Sequence, residues 1–176
     1  MFLLEFFMTN KVAEAPKTES NQQPNYSPQV AFWKPYTKDN KPVGAVALFN
    51  YSEKTNRVFL EMRPQVPSTT EQNAFSREAG IVTMLGLPDL GEFLAVLRGR
   101  KGGLGNPDDK NGWKGLYHQN DTGSTSISMT ATEKGYSLSI GAKKGAEAAR
   151  RLGINLTFAE AEVLHDYLAE MLRNMF

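Results

Sequence analysis

Two stretches of the chain combine aromatic side chains with an excess of basic ones. Residues 31–67 carry six basic and three acidic residues, and residues 98–118 carry five basic and two acidic residues. Flat rings give unpaired bases a surface on which to stack, and cations neutralise phosphates. These residue types therefore favour the non-covalent binding of single-stranded nucleic acid. The candidate binding residues are Phe32, Trp33, Lys34, Tyr36, Lys38, Lys41, Tyr51, Lys54, Arg57, Phe59, Arg63, Trp113, Lys114, Tyr117 and His118.

Each candidate also has a purely structural interpretation. An aromatic residue in a strand is more often part of the core, because it buries a large area, and a lysine is more often a solvated charge. Phe59 is the strongest candidate for exposure. The alternation of residues 57–63 puts it on the same face as Arg57 and Arg63, opposite Val58 and Leu60.

The composition argues against catalysis. The chain has no cysteine, which excludes disulfides, cysteine-bound zinc and thiol catalysis, and its two histidines, His118 and His165, have no partner at motif spacing. No metalloprotease, phosphate-loop or serine-hydrolase motif occurs. We therefore expect a protein that is not an enzyme and that holds no metal or cofactor. Asp108 and Asp109, in a glycine-rich stretch, are a weak candidate for a metal-dependent nuclease.

The beginning of the chain differs in composition from the remainder. The opening MFLLEFFM is too short to span a membrane, contains Glu5 and lacks the basic region of a signal peptide. The residues that follow are rich in lysine, glutamate, asparagine, glutamine and proline, so they cannot bury enough apolar surface to offset chain entropy. We expect a disordered tail at residues 1–28, one domain at residues 29–176, and a cytoplasmic protein.

Hydrophobic periodicity predicts the elements that would position the candidate residues. Pro88 suits the first turn of a helix, and Thr157 and Glu160 form a capping box at the start of a second helix. Four strands precede each helix, which predicts an α+β fold with a duplicated β-β-β-β-α unit. Its two antiparallel four-stranded sheets would have two helices packed across them. The predicted strands are residues 30–36, 44–52, 57–63, 80–85, 112–119, 125–132, 136–140 and 152–156, with loops at 64–73 and 98–111.

The second half of the chain contains two sets of polar residues, each of which has two interpretations. Serines alternate in the strands that contain Ser126 and Ser139, where they are either the solvent side of a sheet or contacts for phosphate. Four basic residues flank a connector after Ile140, where they either guide phosphate or keep a loop soluble. They are Lys143, Lys144, Arg150 and Arg151.

Several segments, taken in order, resemble a known family. They are residues 40–48 (NKPVGAVAL), 58–64 (VFLEMRP), 81–94 (IVTMLGLPDLGEFL), 114–118 (KGLYH), 135–140 (GYSLSI) and 155–164 (NLTFAEAEVL). Across residues 30–176 their order is similar to that of the Whirly family of single-stranded-DNA-binding proteins, whose fold is related to the transcriptional coactivator called positive cofactor four. The chain departs from the family where Lys41 alone stands for two lysines and where Leu87 replaces a capping serine.

The resemblance implies a function and an assembly. Whirly proteins bind single-stranded DNA with little sequence preference in replication, recombination, repair or transcription. They associate through their helices, often as tetramers. A homotetramer of this chain would use the apolar stripe of its last helix, which comprises Leu164, Leu168, Met171, Leu172 and Met175. The absence of a plastid-type leader suggests either a phage or bacterial member, and so a bacterium or an infected host cell, or a mature protein.

Two alternatives remain open beside single-stranded DNA. RNA-binding proteins of the guide-RNA type share this architecture, and only contacts to the 2′-hydroxyl would separate RNA from DNA. A protein-interaction scaffold would keep all the aromatic side chains in its core and bind no nucleic acid.

Overall fold

A computed structural model describes residues 28–68, 74–110 and 112–176. The first half contains β1 (Gln29–Lys34), β2 (Thr37–Lys38), β3 (Lys41–Pro42), β4 (Ala45–Ser52), β5 (Arg57–Val66), β6 (Ala74–Phe75), β7 (Ile81–Leu85) and α1 (Leu87–Leu97). The second half contains β8 (Pro107–Asp108), β9 (Gly112–Trp113), β10 (Leu116–Asn120), β11 (Gly123–Thr132), β12 (Gly135–Lys144), β13 (Arg150–Thr157) and α2 (Phe158–Asn174). The predicted tail lies outside the described residues, apart from Pro28.

Two antiparallel sheets dominate the fold. The N-terminal sheet has the order β1-β4-β5-β7, and the two-residue strand β6 pairs with the end of β5. The C-terminal sheet has the order β10-β11-β12-β13. The α+β class, the antiparallel sheets and the two helices agree with the sequence. The short strands β2, β3, β6, β8 and β9 interrupt the expected repeat, so the duplicated unit stays a prediction.

One hydrophobic core lies between the inner faces of the two sheets and the two helices. The alternation predicted for β5 is confirmed, because Val58, Leu60 and Met62 are completely buried. The apolar side chains Leu90, Phe93, Leu94 and Leu97 of α1 are all buried as well. Among the described residues, neither helix is long and apolar enough to cross a membrane.

The apolar stripe of α2 faces this core, which corrects the prediction of a subunit interface for its three buried residues. Leu164 and Leu168 are completely buried, and Met171 is nearly so. Leu172 and Met175 are partly buried and pack against the same cluster. An amphipathic pattern shows only that one face of the helix must pack against other apolar residues. Here the chain's own sheets supply that cover.

Several strand ends differ from the prediction because pairing extends or breaks them. β5 runs on to Val66, where it pairs with β6, instead of ending before a loop. β12 continues to Lys144 and β13 begins at Arg150, so the expected basic connector is largely strand. Gly115 separates β9 from β10. Its φ of +73° is left-handed, and a Cβ there would lie 2.4 Å from the carbonyl oxygen of Ile127.

The glycine-rich stretch after α1 is an ordered edge and not an open loop. β10 pairs only with residues 123–127 of β11, which leaves the rest of that strand without a neighbour on the side opposite β12. The stretch fills this gap through hydrogen bonds from Leu104 N to Met129 O and from Ala131 N to Gly102 O. Leu104 is completely buried. The glycines thus allow the backbone to act as an edge strand for β11.

The predicted capping box of α2 is confirmed and is tied to the first strand. Glu160 N donates to Thr157 Oγ1 at 3.2 Å, and Thr157 N donates to Glu160 Oε2 at 2.8 Å. Lys34 Nζ donates to both carboxylate oxygens of Glu160, at 2.5 and 2.7 Å. Burial alone would raise the pKa of Glu160, but the hydrogen bonds from Lys34 and Thr157 outweigh it and hold this pKa below its usual value.

Replacing Glu160 with alanine should lower the free energy of unfolding at neutral pH by about 1 kcal/mol, through the lost cap and the partly exposed ion pair. Because the folded-state pKa of Glu160 is lowered, its contribution is present at neutral pH. It is lost as the pH falls through that lowered value. Urea unfolding at neutral and acidic pH measures the effect, with exposed Glu162 replaced by alanine as the control. An equal loss in the two variants would contradict the assignment.

Candidate nucleic-acid interface

The outer face of the N-terminal sheet, which points away from the core, gathers several of the predicted residues. Directly paired residues share a face. Trp33 pairs with Val46 and Val46 with Arg63 in one row, and Asn50 pairs with Phe59 and Phe59 with Met84 in another. The outer face therefore carries Trp33, Arg57, Phe59, Arg63, Val82 and Met84.

Trp33 is the most exposed aromatic residue on this face. It is 54% exposed, whereas Phe59 is only partly exposed. Its indole packs edge-on against Phe75, with ring centroids 5.3 Å apart. One side of the indole is thus held by a neighbour while more than half of the residue remains open, which suits a stacking platform.

Beside Trp33, the β2–β3 hairpin projects from the end of the sheet. Lys38 pairs directly with Lys41 across the hairpin, and Asp39 and Asn40 form its turn with left-handed φ angles of 49° and 58°. Both lysines are exposed, and Tyr36 at the base of the hairpin is 61% exposed. We call Trp33, Tyr36, Lys38 and Lys41 together the hairpin end.

The base of the hairpin is held by hydrogen bonds to Gln65 and by a close backbone approach at Gly44. The side-chain oxygen of Gln65 accepts hydrogen bonds from Tyr36 N at 2.8 Å and from Gly44 N at 3.2 Å. A Cβ at Gly44 would lie 2.3 Å from the carbonyl oxygen of Lys34. Only glycine therefore allows the two chain segments to approach this closely.

The other predicted cations of the N-terminal sheet are engaged or distant. Arg63 Nε donates to Glu61 Oε1 at 2.6 Å, and this hydrogen bond raises the pKa of the guanidinium above its usual value. Arg57 donates to the backbone oxygen of Asn56. Lys54 lies in the β4–β5 turn, at the other end of these strands from the hairpin. The hairpin lysines are therefore the cations best placed to meet a phosphate beside Trp33.

Three candidates of the first stretch are corrected by burial or pairing. Phe32 is 5% exposed and Tyr51 is 7% exposed, so neither ring offers a face to a base. The Tyr51 hydroxyl donates to Asn56 Oδ1 at 2.6 Å. Lys34 is held by Glu160 and so serves the packing of α2 against β1.

The side chains of Trp113 and His118 are also held by contacts within the fold. A Cβ at Gly103 would lie 2.5 Å from the Trp113 ring, and Lys101 Nζ lies 5.6 Å from its centroid. The ring therefore supports the glycine-rich edge. His118 Nε2 lies 3.2 Å from Asp89 Oδ2, and its Nδ1 lies 3.1 Å from Thr83 Oγ1. The imidazole thus links the C-terminal sheet to the start of α1 and to β7.

A groove of about 750 Å³ opens beside this histidine. β7 forms one wall, and the turns of the C-terminal sheet around residues 119–125 and 142–150 form the other. The remaining two candidates, Lys114 and Tyr117, are exposed, and Tyr117 lies on the outer face of the C-terminal sheet. Within the described ranges, no group of three or more histidine, aspartate or glutamate side chains could hold a metal ion.

Three further residues of the N-terminal sheet, Phe75, Val82 and Met84, are not among those predicted from the sequence. Val82 is 54% exposed and Met84 is 49% exposed, and both lie on the outer face beside Phe59. Their alternation with buried Ile81, Thr83 and Leu85 was a signal that could have identified them. For Phe75 there was no local signal, because its contact with Trp33 depends on the pairing of β6 with β5.

The fold and the exposed hairpin end define an α+β protein with a Whirly-like arrangement of strands and helices. No family model matches the chain, and no curated protein resembles it significantly in sequence. Among solved structures the chain is similar to the plant transcriptional regulator PBF-2, a Whirly-type protein, with a TM-score of 0.56 and 12% identity over 87% of this chain and 84% of that one. At this identity the likeness concerns the fold.

Proposed function

We propose that this protein binds single-stranded DNA with little sequence preference and without catalysis. The observation that carries the proposal is the hairpin end, where exposed Trp33 and Tyr36 stand beside exposed Lys38 and Lys41. Stacking is worth about 1–3 kcal/mol per base, so two such rings with neighbouring cations are sufficient for useful binding. The likeness to a Whirly-type transcriptional regulator supports the same conclusion.

A protein that binds by stacking and phosphate neutralisation should bind a single strand more tightly than duplex DNA. A paired strand keeps its bases stacked on one another, so the rings of the hairpin end have little to contact. The affinity for a single strand should fall as the salt concentration rises. The logarithm of the binding constant should change with the logarithm of the salt concentration with a slope of about −0.7 for each phosphate neutralised. In the cell the protein would protect exposed strands in the cytoplasm during replication, recombination, repair or transcription.

The test is a fluorescence-anisotropy titration of a labelled oligo(dT), about thirty nucleotides long so that it exceeds one binding site, at low and moderate salt. A duplex of equal length is the control. Salt-sensitive binding to the single strand, with weak binding to the duplex, is the expected result. Competition with a matched oligo(rU) tests the RNA alternative. Absence of binding at low salt would overturn the proposal and favour a protein-interaction scaffold.

Self-association through helices remains part of the proposal, but on a different surface from the one expected. The stripe of α2 that faces the core is occupied within the chain. The large apolar side chains that α2 exposes are Phe158 and Val163, each 54% exposed. A homotetramer built through the helices would bury these two residues, and mass measurement of a Val163→Glu variant would detect their involvement.

A further inference from the structure

Gln65 is a buried polar residue next to the hairpin end. It belongs to the last part of β5 and is only 7% exposed. Burying a side-chain amide is unfavourable unless its polar atoms find hydrogen-bonding partners. The partners of this side chain therefore show which part of the fold it stabilises.

The side-chain oxygen of Gln65 joins the two ends of the hairpin. Tyr36 lies between β1 and β2, and Gly44 lies between β3 and β4. Gln65 Oε1 accepts a hydrogen bond from the backbone N–H of each, at 2.8 and 3.2 Å. One side chain thus holds both ends of the segment that carries Lys38 and Lys41.

The contact with Tyr36 is the one that depends on the side chain. Gly44 is also tied to β5 by the backbone, because Gln65 N donates to Gly44 O at 2.8 Å. The carbonyl oxygen of Tyr36 accepts from Val43 N and Gly44 N, which joins the hairpin to itself. The hydrogen bond from Tyr36 N to Gln65 Oε1 therefore connects this residue directly to β5.

The backbone of Gln65 is also connected to the support of Trp33. Gln65 pairs with Phe75 where β5 meets β6. The ring of Phe75 packs edge-on against the indole of Trp33, with centroids 5.3 Å apart. Gln65 is thus linked to both exposed rings of the hairpin end, to Tyr36 by a hydrogen bond and to Trp33 through Phe75.

We propose that Gln65 is a positioning residue for binding at the hairpin end. Its buried side chain does not form the binding surface; it fixes the backbone from which Tyr36 presents its ring and keeps the adjoining support of Trp33 in place. A side chain that is already ordered loses less conformational entropy when a ligand binds. The inference rests on the proposed function and assigns part of its affinity to a residue outside the exposed surface.

The test removes the acceptor and keeps the size of the side chain. Gln65→Met should weaken binding of an oligo(dT) of about thirty nucleotides by about five- to tenfold, the cost of ordering one or two side chains only on binding. Gln65→Glu retains an oxygen for Tyr36 N and should bind more tightly than Gln65→Met. Gln29→Met is the matched control, since Gln29 is exposed at the opposite end of β1, and it should bind like the wild type.

Amide hydrogen exchange followed by NMR separates positioning from a general loss of stability. In Gln65→Met the Tyr36 amide should exchange faster, while the amides of the buried β5 residues Leu60 and Met62 keep their wild-type rates. Should Gln65→Met not fold, Gln65→Asn takes its place, because its shorter side chain withdraws the oxygen from Tyr36 N and remains polar. A loss of affinity accompanied by faster exchange throughout the sheet would show a structural role only and overturn the inference.

The binding results distinguish this inference from the proposed function. If the wild type binds oligo(dT) and Gln65→Met binds equally well, the positioning role is overturned alone, whatever the exchange rate of Tyr36. If the wild type does not bind at low salt, the proposed function is overturned and the positioning role with it.

Discussion

Replacing Leu168 with alanine is expected to lower the free energy of unfolding by about 2–5 kcal/mol. Leu168 is completely buried in the core cluster between α2 and the sheets. The deletion would leave a cavity that the surrounding side chains fill only partly. Because this contact lies within one chain, the difference between variant and wild type should not change with protein concentration.

Urea unfolding followed by circular dichroism, at two protein concentrations about tenfold apart, measures this effect; linkage to association would make the difference concentration-dependent. Glu162→Ala is the control, since Glu162 lies on the same helix and is exposed. It should change stability by less than about 0.5 kcal/mol. The interface assignment would be restored if Leu168→Ala lowered the assembly mass while each chain kept its wild-type stability.

Replacing Trp33 with alanine should weaken binding of oligo(dT) by about 1–3 kcal/mol, which is roughly five- to 150-fold. Trp33 is exposed and held by Phe75, so its loss removes a preformed stacking surface with little cost to the core. Trp33→Phe should retain a substantial part of the affinity, because the smaller ring still stacks. Anisotropy titration at fixed salt measures both.

Two controls separate stacking from a general disturbance. Phe176→Ala removes an aromatic side chain that is 93% exposed at the end of the chain, and it should leave the affinity unchanged. Tryptophan fluorescence supplies an independent measurement. Quenching by oligo(dT) should persist in Trp113→Phe, since Trp113 is packed on the glycine-rich edge, and it should disappear in Trp33→Phe. Quenching that follows Trp113 instead would move the site to the glycine-rich segment.

Local patterns sufficed for most elements and for their inner faces. The strict alternation of β5 predicts which of its residues are buried, and the Thr157–Glu160 spacing predicts the start of α2. Both depend on geometry within one element, which repeats every two residues in a strand and every 3.6 in a helix. The order of these elements was enough to suggest a Whirly-like fold.

The exposure of individual aromatic residues could not be predicted from these local patterns. Phe32 and Trp33 are neighbours and lie on opposite faces of β1, but nothing within the strand tells which face meets the core. The pairing of β1 with β4 decides it, because Phe32 pairs with Ala47, on the inner face, and Trp33 pairs with Val46. The burial of Tyr51 follows from the same register, since it shares the inner face with Phe49.

The sequence by itself determined the elements, their apolar faces and the two stretches of aromatic and basic residues. Only the tertiary structure decided what covers each face. It placed the apolar stripe of α2 against the core and packed Trp113 against glycines. The reason is that the hydrophobic periodicity of an element shows only which of its faces must pack against another element. Identifying that partner depends on strand pairings between residues that are distant in the chain.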